Sequence, residues 1–539
     1  MGLYYIYDDS VKEKLNSEGK DYTSAYIPAL LRYMGATAKR ITPGEGSSLR
    51  DDDILIVGAS DMTPLTFARV IRLGPSPDEA DPVTKTQRIF ADGIGEGGTL
   101  LPIFVPVCPS DGSQKTVRFA VQDGDMTPAV TGDESGVCFR FDLCATVWYS
   151  GDGFVQDGPK NGCDLKRVPD ESPIPRERSG GEFNTAYNDE LTGWLEEILH
   201  SYGVPMLYRL PPDRGEIPDF ALTISGDDDY TSCDFDMNGY KVIHDLGLRY
   251  HINMMPSQGK FMFYGDRLDE VREMGGEIGL HTNFYEVPYT DEGQSAACRL
   301  YREAYGDGFG IFTNNNHCLF EDGPCAERLR RLEMNGVVSD NSKLGETDPS
   351  DINAYNLRGF SFGSSFPRYT CDDAGHGNRL IECFEIPINY YEPRIGGTPK
   401  YSKPEKITGY VDDAAKYGRI MQLFIHPHYL WPENPNAPMA VKALETARSY
   451  WKSRNYDTLI TTVNDISEFW KGRSGSAAER KGDEISLSLD VDAAVILPDE
   501  VSGIYVDGKA AEIKVKTVNN RILKMAVCEK GKHIITLNK

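Results

Sequence analysis

Glu277-Ile278-Gly279-Leu280-His281-Thr282 is a short apolar run that ends in a histidine. Its length and composition read as a buried β-strand. Two further runs share the pattern. Phe220-Ala221-Leu222-Thr223-Ile224 passes into Ser225-Gly226-Asp227-Asp228-Asp229-Tyr230, and Met421-Gln422-Leu423-Phe424-Ile425 ends in His426-Pro427-His428. Three buried strands thus release Asp and His at their C-terminal ends. In a barrel of parallel strands those ends form one rim, and chemistry sits there. Asp with His on one rim is a donor set for a divalent metal, with a general base and a general acid beside it.

Working outward, residues 216–471 alternate strand and helix, with strands expected at 219–225, 248–255, 277–282, 336–340, 383–389, 420–426 and 458–463. Parallel strands joined by crossover helices are the economical solution. The segment suits one distorted (β/α) barrel. Residues 1–150 open with a strand at 4–7, a helix at 24–34, a strand at 53–58 and a helix at 65–71, then turn to β from Thr99. That alternation predicts an open α/β sheet, and the segment resembles a flavodoxin- or amidotransferase-like α/β domain. Residues 151–215 read as a connector with one helix at 188–202, and 472–481 as a polar linker. Residues 482–539 carry only strand signals and predict a small β-sandwich.

A chain of 539 residues is too long for one core. The net charge of −25 argues against nucleic acid, whose phosphates require clustered Lys and Arg. No apolar run approaches the roughly 20 residues of a membrane span. The N-terminus, Met1-Gly2-Leu3-Tyr4-Tyr5-Ile6, has neither a basic region nor an apolar signal core. As the sequence stands this is a cytoplasmic pattern; a secreted protein is the alternative if a leader has been removed. Eleven cysteines without CxxC spacing, several flanked by apolar residues as at Cys138, Cys144, Cys298 and Cys383, fit free buried thiols rather than a disulfide framework. A neutral sugar is compatible with the acidic charge. Oligomeric state is open.

The acidic triplet 51–53 is an internal control. It precedes its strand and reads as a solvated turn, whereas Asp227-Asp228-Asp229 follows its strand. An N-cap for the next helix is the competing role for the second triplet. His200, His244, His251, His376 and His533 take structural readings.

The order LTISGDDDY, helix, HINMM, helix, GGEIGLHT resembles the polysaccharide deacetylase superfamily, the carbohydrate esterases of the fourth family. The resemblance covers roughly 216–471. It implies that Asp227 is the catalytic base, that Asp228 or Asp229 is a metal ligand with His281, and that the metal is a divalent ion such as zinc. The family's second ligating histidine falls on Tyr285 here, so the usual Asp-His-His set is broken. By similarity to a divergent branch, His317 in Thr313-Asn314-Asn315-Asn316-His317 becomes the third ligand, with Asp340 nearby and Arg358 in place of a family arginine; Tyr285 and His376 are alternatives. His426, closing a Leu-x-x-His run, is the implied catalytic acid. Tyr285, Arg358, His428, Tyr429 and Trp431 are candidates for substrate contact, although packing explains the aromatics as easily. The implied reaction is metal-dependent removal of acetyl from an N- or O-acetylated glycan. Two rivals remain: a metal-free carbohydrate-binding protein, and a glycosidase pairing Asp227 with Glu385 or Asp340. Residues 1–150 contain no nucleophile elbow and read as scaffold or partner-binding surface.

Overall fold

The structure is a computed structural model, and it describes residues 1–77, 87–91, 99–103, 115–122, 125–152, 187–263, 265–306, 309–319, 325–342, 364–393 and 407–538. Ten strands make the sheet that carries the three signal motifs: β1 (Phe220–Asp227), β2 (His251–Met254), β3 (Glu277–Thr282), β4 (Thr313–Asn316), β5 (Ser339–Asp340), β6 (Arg368–Cys371), β7 (Leu380–Glu385), β8 (Tyr390–Tyr391), β9 (Ile420–Phe424) and β10 (Thr458–Ile460). Their order is β6-β7-β5-β4-β3-β2-β1-β9-β8, with β10 also paired to the start of β1. Every pairing is parallel except β6 with β7.

Among the described residues the order is an open path, so the expected distorted barrel takes the form of a curled half-barrel. In a flat sheet the ends of β9 and β4, four strand spacings apart, would be roughly 19 Å from each other. The side chains that follow them, His426 and His317, both reach Asp229. The sheet therefore curls around that residue.

Strand alternation splits the side chains between two faces. Leu222 and Ile224, Ile252 and Met254, Ile278 and Leu280, and Met421 and Leu423 pack against the crossover helices in one apolar cluster. Many of the opposite residues, on the concave face, are polar and buried: Ser225, Asp227, His251, Asn253, Glu277, His281 and Gln422; Ala221 and Ile420, of the same parity, join an apolar cluster instead. The lower end of this face is plugged by the helix Val463–Gly475, where Asn464 meets Thr313 and Ser467 meets Ser339.

Strand β4, Thr-Asn-Asn-Asn, was not among the strands expected from sequence, because asparagine is depleted in strands. It forms because each amide has a buried partner: Asn314 Nδ2 donates to Asp340 Oδ1 at 2.7 Å, and Asn315 Nδ2 donates to the Asn341 carbonyl at 2.7 Å.

Residues of the N-terminal 150 build a second sheet. Its parallel part runs Lys39–Ile41, Leu3–Ile6, Ile54–Val57, Arg69–Arg72, Gly136–Phe139, and four antiparallel strands continue it. Residues 65–71 are not the expected helix. Leu65 and Phe67 lie exposed and Arg69–Arg72 is a strand held on both sides. A helix of two turns has too costly a nucleus to compete with two ladders. The run after Phe141 is likewise a helix, Leu143–Asp152, started by Asp142 accepting from the Ala145 amide at 2.8 Å.

The polar stretch 472–481 is no linker: it holds the end of Val463–Gly475 and the strand Ala477–Lys481, which pairs with Glu484–Leu489. Beyond it lie two antiparallel sheets, one joined by Met206–Leu207, sharing an apolar cluster that includes Leu207, Ile485, Val495, Ile504 and Ile535.

Candidate metal centre

The parity of an extended chain sorts the acidic triplet. Asp227 closes β1 and Asp229 lies two residues on, so both carboxylates turn into the concave face, while Asp228 turns away. Asp229 sits at the centre: its Oδ1 is 3.3 Å from His281 Nε2 and 3.9 Å from His317 Nε2, and its Oδ2 is 3.3 Å from His426 Nε2. Asp227 Oδ2 is 3.5 Å from His281 Nε2. Two overlapping donor sets result, Asp229 with His281 and His317, and Asp227 and Asp229 with His426, each with its ligand atoms within 4.8 Å of one another.

Two imidazoles are oriented from behind. His281 Nδ1 is 3.0 Å from the Asn315 carbonyl, which can only accept, so Nδ1 carries a hydrogen and Nε2 faces the carboxylates. His317 Nδ1 stands 3.4 Å from Asn283 Oδ1, and its Nε2 likewise faces Asp229. Burial opposes charge on His281, but Asp227 and Asp229 together raise its pKa, so a positive charge, a proton or a metal ion, belongs between Nε2 and the carboxylates. A tetrahedral zinc with bonds of about 2.0–2.1 Å has edges of about 3.3–3.4 Å. The His281–Asp229 separation of 3.3 Å matches such an edge. Burial drives the His317 pKa down to about 4, with His281 pushing the same way, so this ring is neutral and able to ligate. The donor set therefore fits a divalent ion.

His426 has a different environment. Burial opposes its charge, but Glu392, Tyr391 and Asp229 together outweigh that and raise the pKa well above the ordinary value. Glu392 is wholly buried; its oxygens lie 3.0 and 2.9 Å from His426 Nδ1, and Oε2 also accepts the His426 amide at 2.9 Å. The raised pKa favours the charged ring, with Nε2 facing Asp229. Asp227 has its pKa pushed up to about 6 by burial, against the pull of His281 and His426. Asn253 Nδ2 donates to its Oδ1 at 2.9 Å. For Asp229, burial raises the pKa but His426 and His281 hold it far below the carboxylate range.

The other candidates fall outside both donor sets. Asp228 Oδ1 accepts the Ser232 amide at 3.1 Å at the start of helix Cys233–Asp245, a capping role, and burial pushes its pKa to about 7. Tyr285 is 62% exposed, with its ring 5.4 Å from that of His317. The His428 ring lies 5.4 Å from His426 and 4.4 Å from the exposed ring of Tyr230. The Tyr429 ring lies tilted 4.1 Å from that of His428, and Trp431 packs 5.0 Å from Phe235. His376 bonds Asp373 in an exposed turn. Arg358 lies outside the described residues. Asp340 and Glu385 are engaged by the buried Arg328, at 2.8 and 2.6 Å.

Asn253, Asn283 and Glu392 were not found from sequence. Each is a single polar residue whose partner is 26 to 34 positions away. Parity along β2 could have pointed to Asn253.

No protein-family model and no curated protein matches the chain. Solved structures similar to it include a protein from Parabacteroides distasonis described as a glycoside hydrolase/deacetylase, at 11% identity and TM-score 0.34, covering 53% of this chain and 82% of that one. A polysaccharide deacetylase candidate from Mycobacterium smegmatis aligns at 10% identity and TM-score 0.31, over 49% of this chain and 94% of its own. The family 4 carbohydrate esterase PdaA of Bacillus subtilis aligns at 11% identity and TM-score 0.27, over 54% and 98%.

Proposed function

We propose that the chain is a metal-dependent carbohydrate deacetylase, acting on an N- or O-acetylated glycan. The observation that carries this is the convergence on Asp229 of two carbonyl- or amide-oriented imidazoles and one imidazolium. Asp229, His281 and His317 would hold the ion. A zinc-like ion in such a site lowers the pKa of water and polarises a carbonyl.

The chain's own groups supply the proton transfers. Asp227, with Oδ1 held by Asn253 and Oδ2 facing the site, takes the proton from the attacking water. His426 gives its Nε2 proton to the departing amine or alkoxide, and the Glu392 carboxylate keeps that proton in place beforehand. Such general acid–base transfers are worth about 10²–10⁴-fold each. The exposed rings of Tyr230 and Tyr285, one on each side of the cluster, suit stacking on sugar faces. The glycosidase alternative is disfavoured because Asp340 and Glu385, the carboxylates proposed to partner Asp227, are committed to Arg328.

The test measures metal content and acetate release from penta-N-acetylchitopentaose and acetylated xylan. Stoichiometric zinc, activity abolished by chelator and restored by zinc, and loss of both in His281→Ala are expected. Glycan binding by a protein that takes up no metal would establish the carbohydrate-binding alternative instead.

A further inference from the structure

Behind the site, the concave face holds a line of polar side chains that runs back from Asn253, the residue holding Asp227, to groups for which the proposed chemistry gives no role. His251 on β2 is wholly buried, with Nε2 3.0 Å from Asn253 Oδ1. Asn253, also wholly buried, directs Nδ2 to Asp227 Oδ1 at 2.9 Å and to the Gly226 carbonyl at 3.4 Å. Below, His251 Nδ1 lies 3.7 Å from Glu277 Oε2. An amide has two ends, and only one suits a carboxylate. If Asn253 presents its NH2 to Asp227, its oxygen faces His251, and His251 must then carry its hydrogen on Nε2. The opposite tautomer would reverse the amide and set its oxygen against an oxygen of Asp227.

The neighbouring strand leaves room for this arrangement. A β-carbon on Gly279 would fall 2.5 Å from Asn253 Oδ1, 2.6 Å from His251 Nε2 and 2.7 Å from Thr313 Oγ1. Gly279 is absent from the positive-φ positions, so glycine is required there by space and not by backbone angle. The gap opens onto the His251–Asn253 contact.

We propose that His251 and Asn253 form a positioning relay for Asp227: the Nε2–H tautomer of His251 fixes the Asn253 amide, and the amide holds Asp227 with Oδ2 turned toward the reacting water. The relay rests on the deacetylase reading for its purpose, but not for its geometry. His251 and Asn253 are positioning residues that touch neither substrate nor ion.

Two measurements test it. Histidine-selective ¹⁵N labelling, with His251→Gln to assign the signal, reads the tautomer without substrate. The Nε2–H form is expected, and the Nδ1–H form would overturn the relay. Kinetics with the acetylated glycans above form the second arm. His251→Leu and Asn253→Leu should each lower kcat about 10–100-fold, the range seen when a hydrogen-bonded support is removed, with KM and zinc stoichiometry unchanged. His251→Gln keeps an N–H donor and should recover most of the loss. Wild-type kcat in His251→Leu, or equal losses in the Leu and Gln variants, would overturn the relay. An inactive wild type would defeat the deacetylase reading, and the relay would then be judged by the nitrogen shifts.

Discussion

Residue by residue, the histidines of the site differ in the atom that lies behind each ring. A carbonyl behind His281 puts a hydrogen on Nδ1, whereas a carboxylate behind His426 favours the charged ring. Glu392→Gln keeps an acceptor for the His426 Nδ1–H and for its amide but removes the charge. The His426 pKa should therefore fall, and the alkaline limb of the kcat/KM–pH profile should move to lower pH; an unmoved limb would assign the proton to another group. Position after a buried strand, and the histidines at matching ends, made Asp227, Asp229, His281 and His426 legible in the sequence. Asp228 was not separable from Asp229 until strand parity was applied, and Glu392 was invisible because nothing local links residue 392 to residue 426.

Among elements, β4 shows how far tertiary context can override propensity. Three consecutive asparagines fold into a central strand because Thr282, Asp340, Asn341 and Ser342 on its neighbours bond to their polar groups. Asn314→Leu fits the volume but leaves the Thr282 hydroxyl and the Asp340 carboxylate each short of a partner. We expect a loss of about 2–5 kcal/mol in equilibrium denaturation.

The apolar strands β1, β3 and β9 were readable from composition alone. The polar β4, the antiparallel β6 and the two-residue β8 were not, since their pairing is decided by neighbours distant in sequence. Residues 65–71 failed in the opposite sense: amphipathic spacing suggested a helix, and two parallel ladders claimed the segment.

At the ends of the N-terminal strands, Asp61 accepts from Tyr22 Oη through both oxygens, at 2.8 and 2.9 Å, and burial raises its pKa to about 6. A carboxyl whose folded pKa exceeds its unfolded value near 3.8 contributes stability that is complete below that lower value and lost as pH rises through about 6. The shift corresponds to about 2–3 kcal/mol. Asp61→Asn should flatten the melting temperature between pH 4.5 and 6.5, and an unchanged difference from wild type across that window would refute the assignment.

Across the whole molecule, one apolar cluster runs from Leu3 and Tyr26 through Trp194 and Phe366 to Trp470 and Met525, joining the N-terminal sheet, the helix Tyr187–Ser201 and the concave side of the half-barrel. Arg473 lies within this junction. Its guanidinium, 1% exposed, donates to the carbonyls of Arg32, Tyr33, Leu207 and Tyr208, and burial, reinforced by Arg209, lowers its pKa to about 9. Gly35 makes the approach possible, since a β-carbon there would fall 2.4 Å from the Leu207 carbonyl and 2.5 Å from Arg473 Nη2. Arg473→Met leaves several buried carbonyls without a donor. We expect it to cost about 3–5 kcal/mol and to make the N-terminal segment accessible to protease, read by limited proteolysis at fixed temperature.

The polar filling of the half-barrel has a calorimetric consequence. Exposing hydrocarbon on unfolding raises the heat capacity, whereas exposing amides and imidazoles lowers it. An interior of Ser225, His251, Asn253, Gln422 and Asn315 therefore tempers the curvature with which free energy varies with temperature, relative to a barrel packed with valine and isoleucine. The half-barrel should therefore lose less stability on cooling than a domain of its size with an apolar interior, because less of its cohesion comes from the force that weakens in cold water.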